Sequence, residues 1–339
     1  MSKEISLVTG ANGHLGNNLV RLLLSKNHKV RASVRNLKNK QPFDGLACEI
    51  VHADITDRES LKKAFKNVTN LYAVGANFSL WAKNPKVEIY DNNVQGTQNV
   101  FDIANECGIK NIVFVSSVAS LDFTKLPANV VNGYNKDRRN WYYNSKNDSD
   151  KLALELGKKY GIRTVLVLPS AMIGNEAHKL SYSNNLVSQI INGEIPIDTN
   201  ITLNWVDVKD VALGSYNAMK KGNNGERYIL ANEQHTSMQE SVKTASEEFP
   251  ELKLKTPKKV PKCLLYSVAG LMEFTSKLTG KEPQLQRHYL DMFYGLKQDY
   301  DITKSRDEID FNPKSSKQAL IEAMNYLKND WNQENNKNK

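Results

Sequence analysis

Short apolar runs alternate with longer stretches in which apolar residues recur every three or four positions through the first two-thirds of the chain. Leu15, Leu19, Leu22 and Leu23 show this longer spacing, which is typical of a helix with one buried face. Strands that alternate with helices predict βαβ units, and therefore a doubly wound parallel sheet of the α/β class with helices on both faces. The predicted strands are residues 5–9, 29–34, 49–52, 71–74, 111–116, 164–168 and 227–230.

The pattern changes near Thr236, after which long helical stretches and several prolines replace the strand pattern. This change predicts a smaller, mostly helical C-terminal lobe. Residues 264–274 form its most apolar stretch, which is too short to span a bilayer. Because Lys258, Lys259 and Lys262 lie beside it, docking on an anionic membrane is an alternative, but a helix packed within the lobe is favoured. Residues 332–339 are almost all polar, and we expect a disordered tail there.

Composition excludes several classes of protein. The 339 residues are 40% hydrophobic and 24% charged, and no stretch is apolar enough for stable membrane insertion. The net charge is +9, but the basic residues are scattered without interleaved aromatic residues, so no nucleic-acid partner is expected. Cys48, Cys107 and Cys263 lie far apart, and the N-terminal residues lack a secretion signal, so a cytoplasmic location is expected. The six histidines show no zinc-binding spacing, and no metal site is expected.

A glycine-rich turn joins the first predicted strand to the first predicted helix. Gly10, Gly13 and Gly16 have the spacing G-x-x-G-x-x-G, in which glycines permit a tight turn and close approach of backbone N–H groups to a diphosphate. The following helix N-terminus adds partial positive charge. The position of the turn between strand and helix predicts a Rossmann dinucleotide-binding fold. The predicted cofactor contacts here are Gly10, Asn12, Gly13, His14, Leu15 and Gly16, although an exposed turn position is favoured for His14.

The end of the second strand indicates which dinucleotide binds. An acid there would hydrogen-bond the ribose hydroxyls of NAD, whereas an arginine accommodates the 2′-phosphate of NADP. The chain has Arg35 and no acid at this point, so NADP(H) is predicted as the cofactor and NAD is less favoured. Lys38 is a possible helper or a solvated loop charge. Asp54 and Ile55 follow the third strand and are expected beside the adenine, with a helix N-cap as the alternative for Asp54.

A tyrosine and a lysine form the predicted reaction centre. Tyr142 and Lys146 are four residues apart, so they share one face of a predicted helix. Neither side chain moves protons readily at neutral pH unless its pKa is shifted, and a nearby cation lowers the pKa of a phenol. We expect Tyr142 to act as the general acid in carbonyl reduction, Lys146 to stabilise the phenolate, and Ser117 to orient the substrate oxygen. Tyr143 lacks a lysine four residues later, because residue 147 is Asn.

These motifs together resemble the extended short-chain dehydrogenase/reductase superfamily. Residues 30–35 and 142–146 are similar to the dihydroflavonol reductase group, and Leu80 to Pro85, 93–97 and 225–230 are similar to bacterial relatives known as sugar epimerases or dihydroflavonol reductase-like proteins. The resemblance implies a Ser117, Tyr142 and Lys146 triad, and a pocket shaped in part by residues 122–141. It also implies cofactor contacts from Val74, Gly75, Ala76, Asn92 or Asn93, Pro169, Ala171, Met172 and Ile173.

The leading functional prediction is an NADPH-dependent reductase of an aldehyde or ketone. The alternatives are an NAD-dependent nucleotide-sugar epimerase or dehydratase, and a catalytically silent dinucleotide-sensing protein. We expect a small-molecule carbonyl substrate and, as in other family members, a possible homodimer. The predicted dinucleotide-binding domain comprises residues 1–170 and 201–232, and the predicted substrate lobe comprises residues 171–200 and 233–331.

Overall fold

The computed structural model describes residues 4–76, 82–176 and 178–331. The predicted tail at 332–339 lies outside these ranges, as do Leu80 and Trp81 of the epimerase-like stretch. The described strands are β1 (Ile5–Val8), β2 (Lys29–Val34), β3 (Glu49–His52), β4 (Asn70–Ala73), β5 (Asn111–Val115), β6 (Arg163–Pro169), β7 (Ala171–Ile173), β8 (Ile197–Asp198), β9 (Trp205–Asp207), β10 (Arg227–Leu230) and β11 (Lys258–Lys259).

Helices occupy most of the connections between these strands. They are α1 (His14–Ser25), α2 (Arg58–Phe65), α3 (Asn92–Glu106), α4 (Trp141–Tyr160), α5 (Tyr182–Ile191), α6 (Val208–Lys221), α7 (Met238–Glu248), α8 (Lys262–Thr279), α9 (Arg287–Phe293), α10 (Thr303–Ile309) and α11 (Ser316–Tyr326). None of the helices in the described part of the chain has the length and apolarity needed to cross a bilayer.

The central sheet confirms the predicted fold class. Seven strands pair in parallel in the order β3-β2-β1-β4-β5-β6-β10, and they are the seven strands that the sequence predicted. Helices α1 and α6 pack together, and α2, α3 and α4 pack together as a second group. The chain reverses its direction of winding between β1 and β4, and such a switch point leaves a crevice at the carboxyl ends of the strands.

The inner strands β1, β4, β5 and β6 are largely buried because helices cover both faces of the sheet, whereas the edge strand β3 is only partly covered. Leu7 and Val8 in β1 and Leu71 and Tyr72 in β4 are fully buried. Helix α1 contributes Leu15, Leu19 and Leu23, which are spaced by four and are buried against the sheet. The apolar stripe predicted from the sequence is therefore the face that holds this helix, and the glycine turn before it, against the strands.

The C-terminal region is less regular than the sequence suggested. Two short parallel pairs, β7 with β9 and β8 with β11, were absent from the prediction because strands of two or three residues carry no periodic pattern. A second apolar core includes Ile173, Val187, Trp205 and Phe249. Tyr300, although it belongs to the predicted substrate lobe, packs into the core of the sheet. The proposed domain division stays a prediction.

Residues 122–141 run between the sheet and the C-terminal region. Leu121 and Tyr134 form an antiparallel bridge, and Ala128 forms a parallel bridge with Tyr300. The backbone N–H of Ala128 donates to the carbonyl of Asp299 at 2.9 Å, and its own carbonyl accepts from Asp301 at 3.0 Å. The segment therefore fastens residues 299–301 to the dinucleotide side of the molecule.

Candidate active site

One large cavity of about 1120 Å³ runs along the carboxyl edge of the sheet. Because all seven strands are parallel, the segments that follow them meet at this edge. Its lining begins at the glycine turn after β1, passes the ends of β2 to β6, and continues into the C-terminal region. Most of the residues that the sequence predicted for the site therefore face one continuous space.

The glycine turn has the close packing that a dinucleotide site requires. Gly10 has a φ of +59°, and a Cβ at this position would lie 2.9 Å from the Cα of Gly75. A Cβ on Gly16 would lie 2.8 Å from the Cα of Ala11 and closer still to the carbonyl oxygen of Gly10. Helix α1 begins directly after Gly13, so its N-terminal N–H groups and positive dipole end adjoin the turn. This cradle fits a diphosphate group.

His14 lines the cavity but is not the exposed turn residue that the sequence favoured. Its Nε2 lies 3.0 Å from the carbonyl oxygens of both Gly174 and Asn175, so Nε2 carries the hydrogen and donates. Burial lowers the pKa of His14 to about 4, against the opposing effect of these two carbonyls. The imidazole is therefore neutral at physiological pH, and it joins the start of α1 to the loop after β7.

Arg35 is exposed at the end of β2 and lines the cavity, whereas Lys38 is not among the lining residues. The Asp54 carboxylate also lines it, and its Oδ1 accepts from the Thr56 backbone N–H at 2.9 Å and from the Thr56 hydroxyl at 2.7 Å. Burial opposes ionisation of Asp54, but these bonds and the charge of Arg35 leave its pKa below the usual value. The N-cap alternative for Asp54 is wrong, because Asp57 caps α2.

The remaining predicted cofactor contacts separate into two groups. Ile55, Val74, Gly75, Ala76, Asn92, Pro169, Ala171 and Met172 line the cavity. Ile173 does not, because its side chain is fully buried in the C-terminal apolar core. Of the two candidate asparagines, Asn93 is buried, and its Nδ2 donates to the Ser145 hydroxyl of α4 at 3.1 Å.

Tyr142, Ser117 and Lys146 come together in the middle of the cavity. Helix α4 starts at the Asn140 N-cap, whose Oδ1 accepts from the Tyr143 N–H at 3.1 Å, so Tyr142 and Lys146 lie on successive turns. Ser117 follows β5 and lines the same cavity, and its hydroxyl accepts from the Ala119 backbone N–H at 3.1 Å. The Lys146 ammonium donates to the Val115 carbonyl at 3.4 Å and lies 5.9 Å from the centre of the Tyr142 ring.

The shifts in pKa differ from the sequence expectation. Burial raises the pKa of Tyr142 above its usual value, although the Ser117 side chain opposes this effect. Desolvation of the phenolate, rather than a nearby cation, therefore sets the direction of the shift. Burial lowers the pKa of Lys146 to about 8, while the Asp150 carboxylate acts in the opposite direction. Tyr142 is thus protonated at neutral pH, and Lys146 carries a charge that is lost in mildly alkaline solution.

Asp150 is a functional candidate that the sequence analysis missed. It lies one turn after Lys146 on α4, is fully buried, and accepts from the Ser120 hydroxyl at 2.8 Å. Arg227 of β10 lies 3.4 Å from the same carboxylate and stacks 4.0 Å from the centre of the Tyr134 ring. Desolvation raises the pKa of Asp150, and the charges of Arg227 and Lys146 oppose this shift. The four-residue spacing from Lys146 was the available signal.

The end of the cavity away from the glycine turn is mainly apolar. Its described lining includes Phe123, Tyr143, Tyr182, Leu186, Leu203, Trp205, Phe293 and Tyr300, with the polar groups Lys179, Glu282 and Gln298. Phe123 belongs to the segment 122–141 that was expected to shape the pocket, whereas most of the other residues come from distant segments with no shared motif and were not predicted. Within the described ranges, no group of three or more His, Cys, Asp or Glu side chains is placed to hold a metal ion.

Curated proteins of similar sequence include two that carry reductase names and one that is named as a sterol demethylase protein. The chain is 30% identical over 337 residues to a Synechocystis protein named as a dihydroflavonol 4-reductase, with 95% of this chain and 94% of that protein covered. It is 27% identical to sterol demethylase protein B of Methylococcus capsulatus, and the match covers 95% of this chain and 98% of that protein. It is also 27% identical to cinnamoyl-CoA reductase 1 of Petunia hybrida, with 76% and 80% covered.

Solved structures confirm the fold over nearly the whole chain. The structure titled gox2253 superposes with a TM-score of 0.81 at 28% identity and covers 96% of this chain and 98% of its own. Two neighbours of lower identity share the fold with different cofactors. The yeast methylglyoxal/isovaleraldehyde reductase Gre2 with NADPH has a TM-score of 0.75 at 20% identity, with 96% and 99% covered. A Thermus thermophilus UDP-glucose 4-epimerase with NAD has a TM-score of 0.74 at 16% identity, and the match covers 96% of this chain and 99% of that chain.

The family model for the NAD-dependent epimerase/dehydratase family matches residues 6–231, which contain the glycine turn and the Tyr142–Lys146 pair. That match covers more than half of the chain and agrees with both the parallel sheet and the reductase relatives. The chain therefore belongs to the NAD-dependent epimerase/dehydratase family, within the extended short-chain dehydrogenases/reductases, and is an NAD(P)-dependent enzyme.

Proposed function

We propose that this protein is a reductase that converts an aldehyde or ketone to an alcohol with NADPH. The observation that carries the proposal is that Tyr142, Ser117 and Lys146 all line the cavity that begins at the glycine turn, with the Lys146 ammonium 5.9 Å from the centre of the Tyr142 ring. The reductase names of the curated relatives support the same direction of chemistry.

The residues present fit a phosphorylated dinucleotide. Gly10 and Gly16 leave room for a diphosphate beside the N-terminus of α1, where an added Cβ would collide with the backbone. Pairing of Arg35 with a 2′-phosphate is supported by its position in the lining of the cavity at the end of β2. Pro169, Ala171 and Met172 are proposed to lie beside the nicotinamide. When bound, the reduced nicotinamide supplies the hydride for the carbonyl carbon.

The side chains at the centre provide the proton. Tyr142 is protonated at neutral pH because burial raises its pKa, so its hydroxyl can donate a proton to the carbonyl oxygen as the hydride arrives at the carbon. Ser117 orients the same oxygen through its hydroxyl. The phenolate left on Tyr142 lies near the Lys146 ammonium, which stabilises its charge until a proton from solvent restores the phenol.

The apolar end of the cavity favours a carbonyl compound over a nucleotide sugar. A nucleoside diphosphate needs several cationic or N–H partners for its phosphates. Lys179 is the single cationic side chain among the described residues that line this end. Phe123, Tyr143 and Phe293 instead provide surface for an apolar or aromatic substrate body.

The direct test compares Tyr142→Phe with Tyr143→Phe across a panel of aldehydes and ketones with NADPH. We expect Tyr142→Phe to lower kcat by about 10²–10⁴-fold, because it removes the acid, while NADPH binding measured by fluorescence is retained. Tyr143→Phe is the matched control and should keep kcat within about tenfold. If Tyr142→Phe reduces every accepted carbonyl as fast as the parent, the proposal is wrong.

Cofactor exchange separates the reductase from an epimerase. A reductase must release NADP after every turnover, so gel filtration should strip the nucleotide from the purified protein. An epimerase regenerates its bound NAD within each cycle and has no such requirement. The epimerase would be the correct assignment if the protein left the column with one nucleotide bound per chain and isomerised a nucleotide sugar without added cofactor.

A further inference from the structure

Helix α8 exposes far more apolar surface than other described helices. Among the 18 residues of α8, the buried ones are Leu265 and Ala269. Six large apolar or aromatic side chains are between 38% and 73% exposed, namely Leu264, Tyr266, Val268, Leu271, Phe274 and Leu278. The expectation that this stretch is a helix packed within the lobe therefore holds for one side of α8 alone.

The exposed side chains form one stripe along the helix. Leu264, Val268, Leu271 and Leu278 are spaced by four, three and seven residues, which places them on the same face, and Phe274 lies at its edge. From Leu264 to Leu278 the stripe runs for about 21 Å along the helix. Isolated exposed apolar residues are ordinary, but a continuous stripe of this length marks an interaction surface.

The surroundings of the stripe are strongly basic. Between residues 253 and 281 the chain has seven lysines and a single acid, Glu273. Glu273 is paired with Arg287 at 2.8 Å and Lys262 with Asp291 of α9 at 3.0 Å, which leaves six of these lysines to set the local charge. Lys258, Lys259, Lys277 and Lys281 are exposed at the two ends of α8. Much of the net charge of +9 is thus concentrated beside the apolar stripe.

We propose that α8 docks this protein on an anionic lipid bilayer. A helix that lies in the bilayer interface buries an apolar face among the acyl chains and places lysines against anionic head groups, which is the arrangement found here. A second copy of the chain fits this face less well, because pairing two α8 helices would bring their lysines together. The alternative of membrane docking, raised by the sequence, thus gains a structural basis.

Docking would place the substrate end of the cavity next to the membrane. Helix α8 packs on α9 through Leu265, Ala269 and Leu290, and Phe293 of α9 lines the cavity. Glu282, three residues after the end of α8, lines it as well, as does the half-exposed Tyr182. If the proposed reductase activity is correct, an apolar carbonyl compound dissolved in lipid is the class of substrate that this placement serves.

The test is cosedimentation of the full chain with vesicles, which requires no activity. We expect binding to vesicles of phosphatidylcholine mixed with phosphatidylglycerol, and about tenfold weaker binding to phosphatidylcholine alone or at high salt. Leu271→Asp, and separately the double variant Lys277→Glu with Lys281→Glu, should each weaken binding by about tenfold or more. Val131→Asp is the matched control, since Val131 is 88% exposed on another part of the surface.

Circular dichroism of each variant establishes that the fold is retained, and sedimentation velocity measures self-association. Equal binding to both kinds of vesicle, no binding to either, or equal losses in Leu271→Asp and Val131→Asp would overturn the proposal. A parent dimer that Leu271→Asp converts to a monomer, without vesicle binding, would assign the stripe to a second copy instead. Because the readout is mass in a pellet, failure of docking is distinguishable from failure of the reductase proposal.

Discussion

Replacing Arg35 with alanine tests the predicted cofactor preference. The guanidinium is exposed at the cavity end of β2, and within the described ranges it has neither an ion pair nor a hydrogen bond. Its positive charge contributes to the lowered pKa of the Asp54 carboxyl. The substitution therefore removes a potential phosphate partner without leaving a buried group unpaired, and the protein should fold normally.

The expected loss follows from the strength of a hydrogen bond between charged groups. Such a bond contributes about 1.5–3 kcal/mol, which corresponds to roughly 10- to 150-fold in affinity. Because Arg35 is exposed, salt screens its charge, and we expect the lower end of this range at physiological ionic strength. NADH has no 2′-phosphate, so its binding should change by less than about twofold.

The assay is the ratio of kcat/KM with NADPH to kcat/KM with NADH, measured on one carbonyl substrate at low and high salt. Arg35→Ala should lower the ratio by about tenfold, and the difference should shrink as salt is added. Lys38→Ala is the control, because Lys38 does not line the cavity, and its ratio should stay close to that of the parent. An unchanged ratio in Arg35→Ala, or a parent that prefers NADH, would refute the assignment.

Two further predictions concern the charges around α4. The pKa of Lys146 is about 8 in the folded protein against 10.5 for the free side chain, so kcat for reduction should fall as pH rises through about 8. Between pH 8 and 10.5 the unfolded chain binds more protons than the folded chain, so the free energy of unfolding of the parent rises with pH. Lys146→Met removes the buried ammonium, and its free energy of unfolding at neutral pH should therefore exceed that of the parent by up to about 3 kcal/mol. Asp150→Asn leaves Arg227 buried without its counter-charge and should lower the free energy of unfolding by about 3–5 kcal/mol. It should also move the alkaline limb of kcat to lower pH, since Asp150 raises the pKa of Lys146.

Urea unfolding at several pH values, with steady-state kinetics on the same samples, measures these effects. A stability gain in Lys146→Met that does not shrink as pH rises towards 10.5 would show that proton linkage is not its cause. The Arg227→Met change in the Asp150→Asn background should recover part of the lost stability by removing the unpaired charge. An unshifted pH profile in Asp150→Asn would limit that residue to a structural role.

Local signals accounted for most of the dinucleotide half. The inner strands of the sheet are short, largely apolar segments between helical patterns, and each of the seven predicted strands is present within about two residues of its predicted ends. The glycine turn was recognisable because Gly10 and Gly16 act within seven residues of each other. The four-residue separation of Tyr142 and Lys146 fixes them on one helical face wherever the helix packs.

The errors have a common physical origin. Ile173 was expected at the cofactor, yet it faces the second core, because the direction of a residue in a three-residue strand depends on what packs around it. The phenol of Tyr142 was expected to have a lowered pKa, but burial by segments distant in the chain outweighs any nearby cation. Asp57 rather than Asp54 caps α2. Both acids are good N-cap residues and lie three positions apart, so the residue type alone could not predict where the helix begins.

By itself, then, the sequence determined the parallel sheet, the dinucleotide cradle and the pairing of a tyrosine with a lysine, because periodicity and short spacings act over a few residues. The tertiary structure decided that Ser117 lines the same cavity as Tyr142 and Lys146, and it decided the Asp150–Arg227 pair and the apolar end of the cavity. It also decided that the apolar stripe of α8 faces outward. These features join residues from separate segments of the chain, and such contacts arise from the packing of whole elements, which no local pattern encodes.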